Sequence, residues 1–242
     1  MVRGLNSFKA WFQGYEQNYA IIGGTACDLL MSEAGNAFRA TRDIDMVLIV
    51  EALNADFGAR FWKYIKAGGY EHCRSSTDTP QFYRFSKPAS PEYPYMIELF
   101  SRNPDGIILP DDAVLTPLPL EDNISSLSAI LLDEGYYGFL KSGVRVVDGL
   151  PILDAEHIIP FKAKAWIDLS KRKASGGQVD SKNIKKHKND VISLSGLLES
   201  NTHVELPENV RADLVAFILA NSDRADKLRR VAEAYGISQE VN

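Results

Sequence analysis

Residues 20–50, AIIGGTACDLLMSEAGNAFRATRDIDMVLIV, determine the fold that we expect for this chain of 242 residues. The apolar run Tyr19–Ile22 ends abruptly at Gly23-Gly24, and a short segment with helical apolar spacing follows. A polar crossing then leads to Asp43-Ile44-Asp45 and the largely β-branched run 46–50. This pattern predicts a strand, a glycine turn, a helix, a loop and a second strand.

Asp43 and Asp45 are spaced so that both carboxylates share one face of the predicted second strand. Successive residues of a strand point to opposite faces, so residues two apart point the same way. Two like charges held this close are unfavourable unless a cation lies between them, and a hard divalent cation is the usual one. An arginine that fills the cation site would argue against this interpretation.

Gly23 and Gly24 form the other half of the expected site. A backbone without Cβ atoms lets a ligand come close, and the N-terminus of the following helix offers N–H groups and a favourable dipole for phosphate. A phosphate-binding turn beside a metal-binding pair of carboxylates is typical of nucleotide chemistry.

The full pattern, hydrophobic-Gly-Gly-Thr-Ala followed by Arg39-x-Thr41-x-Asp43-Ile-Asp45, resembles the polymerase-β-like nucleotidyltransferase superfamily. Within it the chain is most similar to the AbiEii-type nucleotidyltransferases, many of which are toxins of type IV toxin–antitoxin pairs. The motif lies within residues 20–50, and weaker matches extend over most of the chain. The resemblance implies an enzyme that moves a nucleoside monophosphate from an NTP to a hydroxyl, with pyrophosphate leaving and two Mg²⁺ ions assisting.

A third carboxylate comes from a later strand in this superfamily, and Glu98 is the position that matches. It lies in the middle of the apolar run 95–100, where a charge must be exposed or paired. Asp43, Asp45 and Glu98 are therefore the expected metal ligands and catalytic carboxylates. Glu98 is also expected to help remove the proton from the attacking hydroxyl.

The resemblance assigns the triphosphate to Gly23, Gly24 and the Thr25 hydroxyl, together with the N–H groups behind them. Arg39 is placed to neutralise phosphate or to hold the carboxylates. As structure alone, Arg39 could simply pair with an acid.

Two later residues matter in the AbiEii-type family, a lysine that contacts the triphosphate and an aspartate near the start of the next helix. The family's Lys-x-x-Ala register fits Lys162 with Ala165, and Lys164 is the close alternative. These two lysines point roughly opposite ways on a helix, so they cannot share one role. Asp190, in a basic segment, matches the aspartate.

The predicted fold class is α+β, with a nucleotidyltransferase domain of mixed sheet and flanking helices in residues 1–153 and a helical domain in 154–242. Helices are expected over residues 5–16 and 55–67, and a hairpin over 81–86 and 95–100. Further strands are expected at 129–132, 136–141 and 144–147. Asp154 is the expected N-cap of the first helix of the second domain.

Composition and cysteine use indicate a soluble protein of the cytoplasm. Hydrophobic residues make up 45% of the chain, and no apolar run approaches the roughly 18–20 residues that span a bilayer. The first residues lack the apolar region of a secretory signal. Cys27 and Cys73 match no zinc or redox spacing, so we expect thiols in a reducing compartment and no membrane partner.

The charge of the chain is uneven. The net charge is −5, yet residues 162–188 carry nine Lys or Arg against two Asp. An acidic protein with one basic stretch is expected to bind a polyanion, here RNA, plausibly a tRNA 3′ end. A separately encoded antitoxin protein is the other partner that the resemblance implies.

Two other functions remain open from the sequence. A small-molecule nucleotidyltransferase, such as one that modifies an antibiotic, shares the glycine and Asp-x-Asp features. A nucleotide- or protein-binding module that has lost catalysis would show weak or no metal binding.

Overall fold

The structure is a computed structural model that describes residues 2–75, 82–101, 116–118, 130–131 and 133–241, with the backbone alone for 72–75, 82 and 116–118. It contains two compact units. Unit 1 comprises Met1–Leu120 and Val144–Leu153, and unit 2 comprises Glu121–Gly143 and Asp154–Asn242. No helix of the described residues is long and apolar enough to cross a membrane.

Unit 1 is built on one mixed sheet. Its described strands are β1 Tyr19–Ile22, β2 Asp43–Leu48, β3 Glu71–Ser75, β4 Phe82–Ser86, β5 Met96–Phe100, β6 Thr116–Leu118, β7 Val144–Val147 and β8 Leu150–Leu153. They lie in the order β6-β3-β4-β5-β2-β1-β8-β7. β2 pairs antiparallel with β1 and parallel with β5, while β4 and β5 form the predicted antiparallel hairpin. The α+β class with a mixed sheet and flanking helices is therefore confirmed.

Three helices belong to unit 1 within the described residues: α1 Leu5–Phe12, α2 Gly23–Glu33 and α3 Ala55–Gly68. The Asn54 side chain caps α3 by accepting from the Phe57 N–H, and Gly69 ends it in the left-handed conformation. The predicted helices over 5–16 and 55–67 are thus confirmed, the first with a shorter extent.

Aromatic side chains form the core between α1, α3 and one face of the sheet. Phe12 of α1 lies 6.1 Å from Phe61 of α3, measured between ring centroids, and Phe61 lies 5.4 Å from Phe85 of β4. All three rings are buried. Because side chains alternate along a strand, the neighbours of Phe85 on β4 point to the other face of the sheet.

Unit 2 is helical in its described part. It contains α4 Glu134–Ser142, α5 Ala155–Ala174, α6 Ser181–Leu194, α7 Glu208–Leu219, α8 Ala225–Ala234 and α9 Ser238–Val241, with short 3₁₀ turns at Ser195–Leu197 and Ser222–Arg224. α5 packs against both α6 and α7. Asp154 caps α5, as predicted, by accepting from the His157 N–H at 2.9 Å.

The predicted strand over 136–141 is wrong, because these residues lie in helix α4. The aromatic residues and glycines of this segment favour a strand, but Asp133 caps the helix by accepting from the Tyr136 N–H at 3.0 Å. Tyr136 and Leu140, four residues apart, are both buried on the inner side of α4. The strand predicted at 129–132 is wrong at residues 130 and 131, which are helical, and its two ends lie outside the described residues.

The compact units divide the chain differently from the predicted ranges of 1–153 and 154–242. Helix α4 packs with the helices of unit 2, whereas the β7–β8 hairpin that follows it completes the sheet of unit 1. The boundary between two functional domains at 153/154 stays a prediction.

Candidate active site

The candidate site lies on the face of the sheet opposite to the aromatic core, where β2 begins and β1 ends. Ile22, the last residue of β1, is the register partner of Asp45. Asp43 and Asp45 alternate with the fully buried Ile44 and are themselves partly exposed, as predicted for two carboxylates on one face of a strand.

Glu98 lies directly beside Asp45, because the two residues are register partners on the parallel strands β5 and β2. The side chain of Glu98 is only 12% exposed. The sequence therefore predicted correctly that Glu98 shares a face with the aspartates. Among the described residues, however, no three acidic, histidine or cysteine side chains gather into a complete metal site.

Burial and the negative charge of Asp45, together with a hydrogen bond to Asp45, raise the pKa of the Glu98 carboxyl from 4.5 to about 8. An ion pair with Arg84 acts in the opposite direction but does not outweigh them. A carboxyl with a pKa near neutrality can take or release a proton at physiological pH.

Arg84 is a site residue that the sequence analysis missed. Its Nη2 lies 2.7 Å and its Nε 2.9 Å from Oε1 of Glu98. Glu98 on β5 has Asp45 as its register partner on β2 and Arg84 as its register partner on β4. Arg84 therefore extends from the strand on the opposite side of β5 from the two aspartates. The detectable signal was a single charged residue in the middle of each apolar strand of the predicted hairpin, which indicates a cross-strand ion pair.

Gly23 is required by the packing of Asp45 against the glycine turn. Its φ of +69° lies in the left-handed region, and a Cβ atom at this position would overlap with Oδ2 of Asp45. The missing side chain therefore lets the carboxylate lie directly against the first turn of α2.

Gly24 and Arg39 bring a positive charge to the N-terminal end of α2. A Cβ atom on Gly24 would lie 2.7 Å from Oγ1 of Thr41 and 3.4 Å from Nη2 of Arg39. The Arg39 guanidinium also lies over the Phe38 ring, 5.1 Å from its centroid. Helix N–H groups and an arginine at one place form an arrangement that suits a phosphate.

The Thr25 hydroxyl has a different contact from the one expected. Thr25 is fully buried, and its hydroxyl donates to the backbone carbonyl of Asp43 at 2.6 Å. This bond ties α2 to the start of β2 and thus fixes the glycine turn beside the carboxylates. A contact of Thr25 with triphosphate stays a prediction.

Lys162 and Asp190 are brought together in unit 2 as a buried ion pair between α5 and α6. The Nζ–Oδ2 distance is 3.0 Å, and the side chains are 8% and 2% exposed. The sequence named both residues but not their mutual contact. Their roles in catalysis stay predictions.

Lys164 has other partners, as expected for a residue on another side of α5. It lies 3.3 Å from carboxylate oxygens of both Asp168 and Asp213. Burial lowers the pKa of its ammonium group, but the two carboxylates outweigh burial and raise it above the ordinary value. Tyr136 donates to Asp213 at 3.1 Å and completes the group. These contacts give Lys164 a structural role in unit 2.

Comparisons with known proteins yield distant similarities only. No protein-family model matches the sequence, and no curated protein matches it. An antigenic nucleotidyltransferase-like protein from Paracoccidioides brasiliensis is 16% identical, with 95% of this chain and 94% of that chain covered and a TM-score of 0.45. The protein JHP933 from Helicobacter pylori is 13% identical, with 99% of this chain and 84% of that chain covered and a TM-score of 0.43. Similarities this low do not assign an activity to this chain.

Proposed function

We propose that this chain is a metal-dependent nucleotidyltransferase, which moves a nucleoside monophosphate from an NTP to a hydroxyl acceptor. The observation that carries the proposal is the position of Asp45, which lies beside Glu98 on one side and against Gly23 on the other. Acidic side chains and the N-terminus of a helix thus meet on one face of the sheet, as metal-assisted phosphate chemistry requires.

The phosphates of the nucleotide would bind at the first turn of α2. Gly23 and Gly24 carry no side chains there, so a phosphate would meet the backbone N–H groups without a Cβ atom in its way, and Arg39 would add a charged donor. Thr25 would act indirectly, by holding α2 against β2.

Asp43, Asp45 and Glu98 supply hard oxygen ligands, which suit Mg²⁺. Asp45 and Glu98 are like-charged neighbours, and a cation between or beside them would offset their repulsion. Bound Mg²⁺ would stabilise negative charge on the reacting phosphate. Glu98, in its deprotonated form, would take the proton of the attacking hydroxyl.

RNA is the acceptor that the charge distribution favours. Lys162, Lys164 and Lys188 form ion pairs with carboxylates. Six more basic residues are exposed at the end of α5 and the start of α6, and we call them the cationic hairpin: Lys171, Arg172, Lys173, Lys182, Lys185 and Lys186. Such a surface matches the charge of a phosphate backbone.

A role as the toxin of a toxin–antitoxin pair belongs to the same proposal and is supported by the resemblance of residues 20–50. It is tested by inducing the chain in a bacterial host, where wild type should arrest growth. The Asp45→Asn variant should not, and a cognate antitoxin should restore growth in the wild-type strain.

The activity itself is tested by incubating the purified chain with Mg²⁺ and each α-³²P-labelled NTP, with and without total RNA. Label should enter RNA, and Asp43→Ala or Asp45→Asn should abolish transfer. Asp56→Asn is the matched control, because Asp56 is an exposed aspartate on α3. Label on aminoglycoside-like compounds alone would favour a small-molecule enzyme, and binding of NTP and metal without transfer would favour a binding module.

The acceptor surface is tested separately by RNA-binding measurements at several salt concentrations. Reversal of Lys171, Lys185 and Lys186 to Glu should weaken binding and reduce its salt dependence. Reversal of Lys63 and Lys66, two exposed lysines on α3, is the control and should change binding much less. Equal losses in both variants would contradict the cationic hairpin as the RNA surface.

A further inference from the structure

Three side chains form a row across the candidate site, one on each of three adjacent strands. Arg84 on β4 is the register partner of Glu98 on β5, and Glu98 is the register partner of Asp45 on β2. Register partners on adjacent strands project from the same face. The row therefore begins with the guanidinium of Arg84, continues with the carboxyl group of Glu98 and ends at Asp45, which lies against the glycine turn.

The contact between Arg84 and Glu98 is fixed and little screened by solvent. Both donors of Arg84 converge on a single oxygen, Oε1, at 2.7 and 2.9 Å. Each side chain is 12% exposed. A guanidinium stays charged at every physiological pH, so Glu98 has a permanent counter-charge that belongs to the protein.

This arrangement changes what Glu98 can offer a metal ion. A carboxylate has two oxygens, and two N–H donors already occupy Oε1. Glu98 also hydrogen-bonds with Asp45, so little of its carboxyl group is left for a metal ion of its own. Asp43 and Asp45 project from the same face of β2. The positive charge that a second divalent cation would bring to Glu98 is already supplied by Arg84.

We propose that Arg84 is a positioning residue that holds Glu98 beside Asp45 and takes the place of a second metal ion, so that the site binds one divalent cation on the Asp43–Asp45 side. The inference rests on the proposed function for the location of the metal. It departs from the two ions expected from the resemblance.

The test counts Mn²⁺ ions, which replace Mg²⁺, by equilibrium dialysis with a saturating, non-reactive α,β-methylene analogue of the NTP that the chain uses or binds. Wild type should hold one ion per chain, and Asp45→Asn should hold none. Arg84→Gln, which leaves Glu98 without its counter-charge, should admit a second ion. Arg84→Lys keeps a positive charge and should still bind one Mn²⁺ ion per chain. A merely structural role of Arg84 does not predict this difference between the two variants.

Glu98→Gln provides a measurement that does not depend on the folding of the Arg84 variants. It should still bind one ion, because the ion lies on the aspartate side. Two ions in wild type, loss of an ion in Glu98→Gln, or one ion in a folded Arg84→Gln would each overturn the inference.

Failure of this inference is distinguishable from failure of the proposed function. A wild-type chain that transfers nucleotides and binds two ions removes the single-ion inference alone. A chain that binds one ion and transfers nothing removes the activity and leaves the inference in place. A chain that binds no Mn²⁺ removes both.

Discussion

The Lys162–Asp190 pair allows a prediction about stability that does not depend on the proposed activity. Its two charges are 3.0 Å apart and almost completely buried, at 8% and 2% exposure. Removing one partner, in Lys162→Met or Asp190→Asn, leaves the other partner without its counter-charge in the interior. We expect each single variant to lower the free energy of unfolding by roughly 3–5 kcal/mol, as for other buried pairs.

The double variant Lys162→Met/Asp190→Leu should behave differently from the sum of the single changes. Replacing both charges by apolar side chains removes the desolvation cost together with the attraction, and such replacements are often neutral or stabilising. We expect the double variant to regain most of the lost stability, so that its loss is several kcal/mol smaller than the sum of the two single losses.

Urea denaturation followed by far-UV circular dichroism measures these effects, because unit 2 is helical in its described part. Lys188 and Asp223 provide the control, since their ion pair has the same 3.0 Å distance but Asp223 is 62% exposed. Neutralising that pair should change stability little. Single variants at 162 and 190 that match this control, or additive losses in the double variant, would refute the reasoning.

The same double variant separates structure from catalysis. If Lys162 contacts the triphosphate, as the sequence predicts, the double variant should regain stability without regaining nucleotidyl transfer. Full transfer by the double variant would show that the pair is structural alone.

Three further predictions concern unit 1. Gly23→Ala should abolish metal binding, because its Cβ displaces a carboxylate. Gly35→Ala, at a similar φ of +72° but in open space, should cost only the backbone strain of about 1–2 kcal/mol. Thr25→Val should lower the free energy of unfolding by about 1–3 kcal/mol, because the hydrogen bond to the Asp43 carbonyl is lost. Thr25→Ser should keep that hydrogen bond and the stability. Urea denaturation measures both variants. In metal-free buffer, the raised pKa of the Glu98 carboxyl should make a contribution to thermal stability that is complete below pH 4.5 and is lost as the pH rises towards about 8. Glu98→Gln should lose that part of the pH dependence, and an unchanged pH profile would contradict the raised pKa.

Much of the fold could be predicted because local signals agree with the final structure. The apolar run that ends at Gly23 became β1, and Asn54 and Gly69 mark the two ends of α3. The failure at residues 136–141 has a local cause as well. Aromatic residues and glycines outweighed the capping signal of Asp133, although Tyr136 and Leu140 have helical spacing.

The candidate site was predictable only in part, for a physical reason. The spacing of Asp43 and Asp45 is a property of one strand, and it is sufficient to place them on one face. The contacts of Arg84 with Glu98 and of Thr25 with the Asp43 carbonyl depend on how separate elements align. Register and packing of this kind cannot be obtained from periodicity alone.

The antiparallel pairing of β1 with β2 has a consequence for sequence variation in this chain. Residues 34–42 connect α2 to β2, and their length does not set which face Asp45 occupies; its pairing with Ile22 does. Insertions at residues 34–38, ahead of Arg39, should therefore be tolerated, whereas one residue added inside β2 after Asp45 would turn both aspartates towards the aromatic core. Natural or engineered length changes should consequently accumulate before residue 39 and be absent between 43 and 48.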